Sequence, residues 1–182
     1  MMSEPKPIDR TTAYAVLTAL RRTRQVRQFT DEPVVDDDLQ AILEVARWSG
    51  SSVNRQPWTF IVVRHRRDLE RLAELAPNAR HVAGAAIAIA IAMGGDEAEW
   101  DAYDEGRAAE RILIAANALG LGAAIGWAIE RYRPRVAEFL GLTSPAFVRT
   151  IVSLGHPTDA ARHPKSAPGM ARRPLAELVR EL

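Results

Sequence analysis

The chain has 182 residues, with 24 Lys and Arg against 23 Asp and Glu, a formal net charge of +1, 47% hydrophobic residues and no cysteine. That length suits a single domain with a substantial core, and the near-neutral balance argues against a broad nucleic-acid surface, which needs excess basic residues. The lack of cysteine excludes disulfides, thiolate nucleophiles and cysteine metal sites, and fits a reducing, cytoplasmic setting.

The first residues, MMSEPKPIDR, hold no apolar run behind a basic start, so no secretory signal is expected. Asp9 is placed to cap a first helix running to about Arg21, with Tyr14, Leu17 and Leu20 at helical spacing. Val26 to Thr30 reads as short and extended, and Pro33 delays the next helix. That helix is expected to be capped by Asp36 or Asp37, with Leu39, Ile42, Leu43 and Ala46 as its apolar stripe.

A polar loop, Ser49 to Asn54, leads through Gln56-Pro57-Trp58 into a strand expected to end near Arg64. An amphipathic helix around Leu69, Leu72 and Leu75 stops before Pro77. Val82 to Met93 is continuously apolar but well short of the roughly 20 residues that cross a bilayer. Its alternating Ile and Ala predict a central strand buried on both faces, the smaller residues on one side.

A long helix is expected from about Glu97 to Leu119, stopped by Gly120 and Gly122, then a strand over Ala123 to Ala128. Pro134 starts a short helix ending at Gly141, and Phe147 to Leu154 is the last strand. From Thr158 the tail is rich in Pro, Ala and basic residues; its ending, Pro174 to Val179, carries an apolar stripe that wants a partner surface. Helices and strands in mixed order give an α+β fold, with residues 1–182 as one domain and 158–182 as a docking tail.

The residues that could carry chemistry fall in few places. Arg24 and Arg27, preceded by Arg21 and Arg22, could grip a phosphate, because guanidinium is planar, permanently charged and matched to its oxygens. The plainer reading is positive charge at a helix end. Ser51, Ser52 and Asn54 offer short hydrogen-bonding groups, although such residues are also ordinary turn formers. Asp101, Asp104, Glu105 and Glu110 are expected on a solvated helix face. His65, His81, His156 and His163 form no pair at metal-ligand spacing, and His81 is expected at the surface unless it touches a ligand. No metal site and no catalytic side chain is expected. No Gly-x-Ser-x-Gly elbow occurs, and Gly120-Leu121-Gly122 follows a helix, which defeats a Rossmann reading.

The order Thr23-Arg24-Gln25-Val26-Arg27-Gln28-Phe29, then Gly50-Ser51-Ser52-Val53-Asn54-Arg55-Gln56-Pro57-Trp58, resembles the nitroreductase family of flavin enzymes. Its members carry Arg-Arg-Ser-x-Arg-x-Phe and Pro-Ser-x-x-Asn-x-Gln-Pro-Trp. The resemblance implies a central, mixed but mainly antiparallel sheet flanked by helices, in an intertwined homodimer with FMN sites at the subunit interface. It places Arg24 and Gln25 at the flavin phosphate and ribityl chain and Arg27 near the N1/O2 edge of the ring. Ser51, Ser52 and Asn54 match the loop, Asn78 a pyrimidine-edge asparagine, and Gly126 and Trp127 a backbone turn facing the central ring. Arg172 matches a C-terminal arginine returning to the phosphate.

The implied reaction passes a hydride from NADH or NADPH to FMN and then electrons to a small acceptor, such as a nitroaromatic or quinone. The alternatives are a flavin-binding sensor or store without turnover, and a family enzyme with a dedicated biosynthetic substrate. Neither nucleic acid nor membrane is expected as a partner. Four departures stand out: Thr23 for the first arginine, Gln25 for serine, Gly50 for proline, expected to loosen the loop, and Met170 at a place often basic in larger members.

Overall fold

Ile87–Met93 is the central strand that its composition predicts: every residue in it is buried. The computed structural model describes residues 9–95, 97–162 and 172–181. Four strands form one antiparallel sheet in the order β1-β2-β4-β3, with β1 Trp58–Val63, β2 Ile87–Met93, β3 Gly122–Trp127 and β4 Phe147–Gly155. The only parallel element among the described residues is an isolated bridge, Gln25 to Ala123. Edge strand β1 therefore lies about 14 Å from edge strand β3, three inter-strand steps away.

Alternation along β2 sorts the core into two layers. Ile87, Ile89, Ile91 and Met93 face α2 (Asp36–Arg47) and α4 (Ala98–Ala118), where Leu39, Ile42, Ala108, Ile112 and Ala116 meet them. Ala88, Ala90 and Ala92 face α3 (Arg66–Leu75) and α5 (Arg133–Phe139), with Leu69, Leu72, Val82 and Val136. Small residues on the second face let the turn Arg80–Gly84 settle close to the sheet. Each large side chain buried in this way stabilises the fold by about 1.5–3 kcal/mol.

α1 (Arg10–Arg22) is capped as predicted, Asp9 accepting from Thr12 N–H at 3.1 Å. None of its residues is buried, however, and Tyr14, Val16, Leu17 and Leu20 lie exposed. α2 differs from expectation at its start. Val35 occupies the cap and Asp36 opens the helix, so the three aspartates serve the positive helix end as charges rather than as side-chain caps. Val82 belongs to the turn before β2, not to the strand. The last elements are α6 (Asp159–Arg162) and a single turn, Leu175–Glu177. The middle of the expected docking tail, 163–171, lies outside the described residues. No described helix is long and apolar enough to cross a membrane.

Candidate functional site

Most of the expected ligand residues gather on the free edge of β3. After α1 the chain runs beside that edge, Val26 N–H donating to Ala123 O at 2.8 Å. Gln25 holds the segment in place, since its Oε1 accepts from Ile125 N–H at 3.1 Å and from Arg27 Nη2 at 2.9 Å. A serine is too short to make that cross-link, which gives a physical reason for glutamine here. Arg27 is thereby fixed beside the strand. Arg24 is exposed and folds back, Nη1 donating to the carbonyls of Arg21 at 2.7 Å and Thr23 at 2.8 Å.

The other side of the edge is formed by the turn before β2. Asn78 pairs with Trp127 in an antiparallel bridge. Gly126 and Trp127 thus stand at the end of a strand, where the resemblance implied a turn. A Cβ on Gly126 would come within 2.8 Å of Ala79 Cα and 3.3 Å of His81 Nε2, so only glycine allows this approach.

His81 is half-buried rather than at the surface. Its Nδ1 lies 2.8 Å from Ser153 Oγ, and that hydroxyl is 3.3 Å from Ala124 O. With the serine proton directed at the carbonyl, Ser153 accepts from Nδ1–H, leaving a lone pair on Nε2. Nε2 is buried and has no hydrogen-bond partner among the described residues. Burial first, and the Arg27 charge second, lower the proton affinity of His81, against a smaller opposing effect of the Ile125 backbone.

Ser51, Ser52 and Asn54 lie elsewhere, on the loop entering β1 at the opposite sheet edge. Val53, Asn54 and Gln56 have φ of 43°, 57° and 50°, the left-handed region that non-glycine residues seldom adopt. Ser51 Oγ accepts from Gln56 N–H at 2.9 Å, and Ser52 N–H donates to Asp104 Oδ2 at 3.1 Å. Arg55 Nη2 pairs with Asp101 Oδ1 at 3.0 Å and approaches Asp104 at 3.9 Å. The second oxygen of Asp101 accepts from Gly95 N–H at 3.0 Å.

The solvated-face reading of α4 is therefore corrected for Asp101, Asp104 and Glu105, each 2% exposed or less. Glu110 alone of the four is exposed. The signal was present: residues 101, 104, 105, 108, 109 and 112 continue one helical stripe into the core. Buried carboxylates need partners, and Arg55 and Arg149 supply them, Arg149 Nε reaching Glu105 at 2.7 Å. Arg149 also stacks on Trp127, 5.6 Å from its ring centre, and so ties α4 to the β3 site.

At Gly50 a Cβ would fall 3.0 Å from Arg107 Cζ and closer still to Nη2, so the guanidinium lies over this glycine. Ser52 and Arg55 tie the loop to Asp104 and Asp101 of α4. Arg172 is exposed at the start of segment 172–181, and Leu175, Leu178 and Val179 beyond it are exposed too. A cleft of 740 Å³ beside α5 is lined by none of the expected ligand residues.

Comparison with known proteins decides the family. The Nitroreductase family matches residues 20–86. A provisionally named NADH dehydrogenase/NAD(P)H nitroreductase of Archaeoglobus fulgidus is 32% identical over 142 residues, spanning 75% of this chain and 82% of that one. The chain belongs to the nitroreductase family. An FMN reductase [NAD(P)H] of Bacillus subtilis is 27% identical, over 82% of this chain and 69% of its own. A provisionally named nitroreductase from Desulfovibrio desulfuricans, solved in complex with FMN, superposes with a TM-score of 0.78 at 32% identity, covering 92% of this chain and 96% of that one. The α+β nitroreductase fold is thus shared along nearly the whole chain.

Proposed function

We propose that this nitroreductase-family chain is an FMN-dependent oxidoreductase that draws electrons from NADH or NADPH and passes them to a small acceptor. The observation that carries the reading is the convergence of Gln25, Arg27, Asn78, His81 and Gly126–Trp127 on one sheet edge. The donor set fits the cofactor. Arg24 and Arg27 supply positive charge for a phosphate and for an electron-rich ring edge. Relatives named FMN reductase and NADPH-flavin oxidoreductase, and the neighbour solved with FMN, support the same reading.

Bound FMN supplies the hydride chemistry, and no protein nucleophile or metal is required. Arg27, hydrogen-bonded to Gln25, would supply positive charge beside the ring. The glycine at 126 lets β3 and the turn before β2 approach closely, and the backbone there would line the ring. Because the loop Ser51–Asn54 lies on the far edge of the same chain, the complete site is a composite of two copies. The β3 edge comes from one and the loop from its partner, with the exposed apolar residues of α1 and Leu175, Leu178 and Val179 buried between them. The protein would then be a homodimer of about 40 kDa, twice 20.1 kDa.

The test is spectroscopic. Purified protein saturated with FMN should show oxidised-flavin absorbance that bleaches when NADH or NADPH is added without oxygen, and recovers with a quinone or nitroaromatic. Bound flavin that stays oxidised would make the protein a binding module, and absence of binding would overturn the reading.

A further inference from the structure

We infer that Asp104, acting with Asp101 and Arg55, is a positioning residue for flavin binding: it holds the loop of residues 51–56 in the left-handed conformation in which Ser51 and Asn54 meet the ligand. The inference rests on the flavin reading above. It starts from an outlier. Val53 is β-branched, 86% exposed and at φ 43°, so nothing in its own packing offsets its conformational cost. A left-handed residue of this kind costs on the order of 1–2 kcal/mol, and three occur within four positions. Such a conformation persists only where the surroundings over-determine it.

The restraint comes from α4. Asp104 is 2% exposed and spends one carboxylate oxygen on the amide of Ser52, the residue just before the strained pair. Arg55, just after that pair, is drawn to Asp101 and Asp104 together. Val53 and Asn54 are thus pinned at both ends to a single helix, and Gln56 is held by Ser51 Oγ. The Arg107 guanidinium, 3.8 Å from Asp104 Oδ1, lies over Gly50 at the entrance to the loop. Both aspartates are oriented by hydrogen bonds to backbone amides, and their charges are matched by arginines, so they serve as anchors and not as a cation site.

The experiment measures FMN affinity by quenching of flavin fluorescence, together with exchange of the Ser52 amide proton in the flavin-free protein. Asp104→Leu should raise the FMN dissociation constant about tenfold or more, the equivalent of one charge-assisted hydrogen bond. Asp104→Asn keeps an acceptor for Ser52 and should raise it about threefold, by losing the charge that draws Arg55 and Arg107. Adding Val53→Gly removes the strain that the anchor opposes, and should recover at least threefold of the loss in either background. A contribution of Asp104 to global stability alone would not be restored at the flavin site by a glycine in the loop. Ser52 exchange should be slow in the wild type and fast in Asp104→Leu.

Unchanged flavin affinity in both Asp104 variants, or no recovery with Val53→Gly, would overturn the proposal. If Asp104→Leu does not fold, Asp104→Asn with and without Val53→Gly carries the same comparison. Wild-type protein that binds no FMN would overturn the flavin reading instead, and Ser52 exchange would still decide whether the anchor exists.

Discussion

His81 illustrates how far one side chain can depart from what its neighbours in sequence suggest. It sits between basic Arg80 and apolar Val82, an ordinary setting for a surface histidine. The fold turns its ring against Ser153 and leaves Nε2 buried. Its folded-state proton affinity is lowered, so at acid pH the unfolded chain binds the proton more readily than the folded one. Stability on this account is intact above the unfolded histidine pKa of about 6.5 and is lost as pH falls from there towards the lower folded value. His81→Gln should flatten the melting temperature over that range relative to wild type; parallel curves for the two proteins would contradict the buried neutral imidazole. Arg24 is the second test at this scale. Its guanidinium, now satisfied by helix-end carbonyls, is free to turn outward to a phosphate, whereas Arg21 lies a turn earlier. Loss of a charge-assisted contact is worth about 1.5–3 kcal/mol, and a solvated charge at a helix end about 1 kcal/mol or less. Arg24→Ala should therefore weaken FMN binding well beyond Arg21→Ala in parallel titrations, and equal dissociation constants would remove Arg24 from the site.

Among the elements, those with a strong period were legible in the sequence. The Ile/Ala alternation of β2, the Asp9 cap of α1 and the stripe of α3 all appear where the pattern puts them. What escaped was burial that runs against residue type. Asp101, Asp104 and Glu105 were read as solvated because they are charged, although their spacing places them on the core stripe. Their partners, Arg55 and Arg149, are 46 and 44 residues away in sequence, and no local pattern connects them. The candidate site shows the same division. Short motifs marked both halves of it, yet only the sheet order shows that the halves occupy opposite edges. Gly126 ties element to site, because β3 and the turn before β2 touch there through Ala79. Gly126→Ala forces these backbones apart, and overpacking of this kind costs about 1–3 kcal/mol. Its melting temperature and FMN affinity should both fall; a variant with both unchanged would mean that the contact is looser than described.

At the scale of the whole molecule, the central claim is that each flavin site takes the β3 edge from one chain and the loop from the other. The apolar residues of α1 that find no cover among the described residues, and the distance between the two sheet edges, both lead to it. The most direct measurement uses two disabled chains carrying different tags, Arg27→Glu and Asn54→Asp, purified separately and as the mixed dimer. Each homodimer should bind little FMN, since both of its sites contain a defect. In the mixed dimer the two defects fall in one site and leave the other wild type, so one FMN per dimer should be retained with wild-type affinity. A mixed dimer that binds no more FMN than its parents would show that both halves of the site belong to the same chain, and would contradict the account.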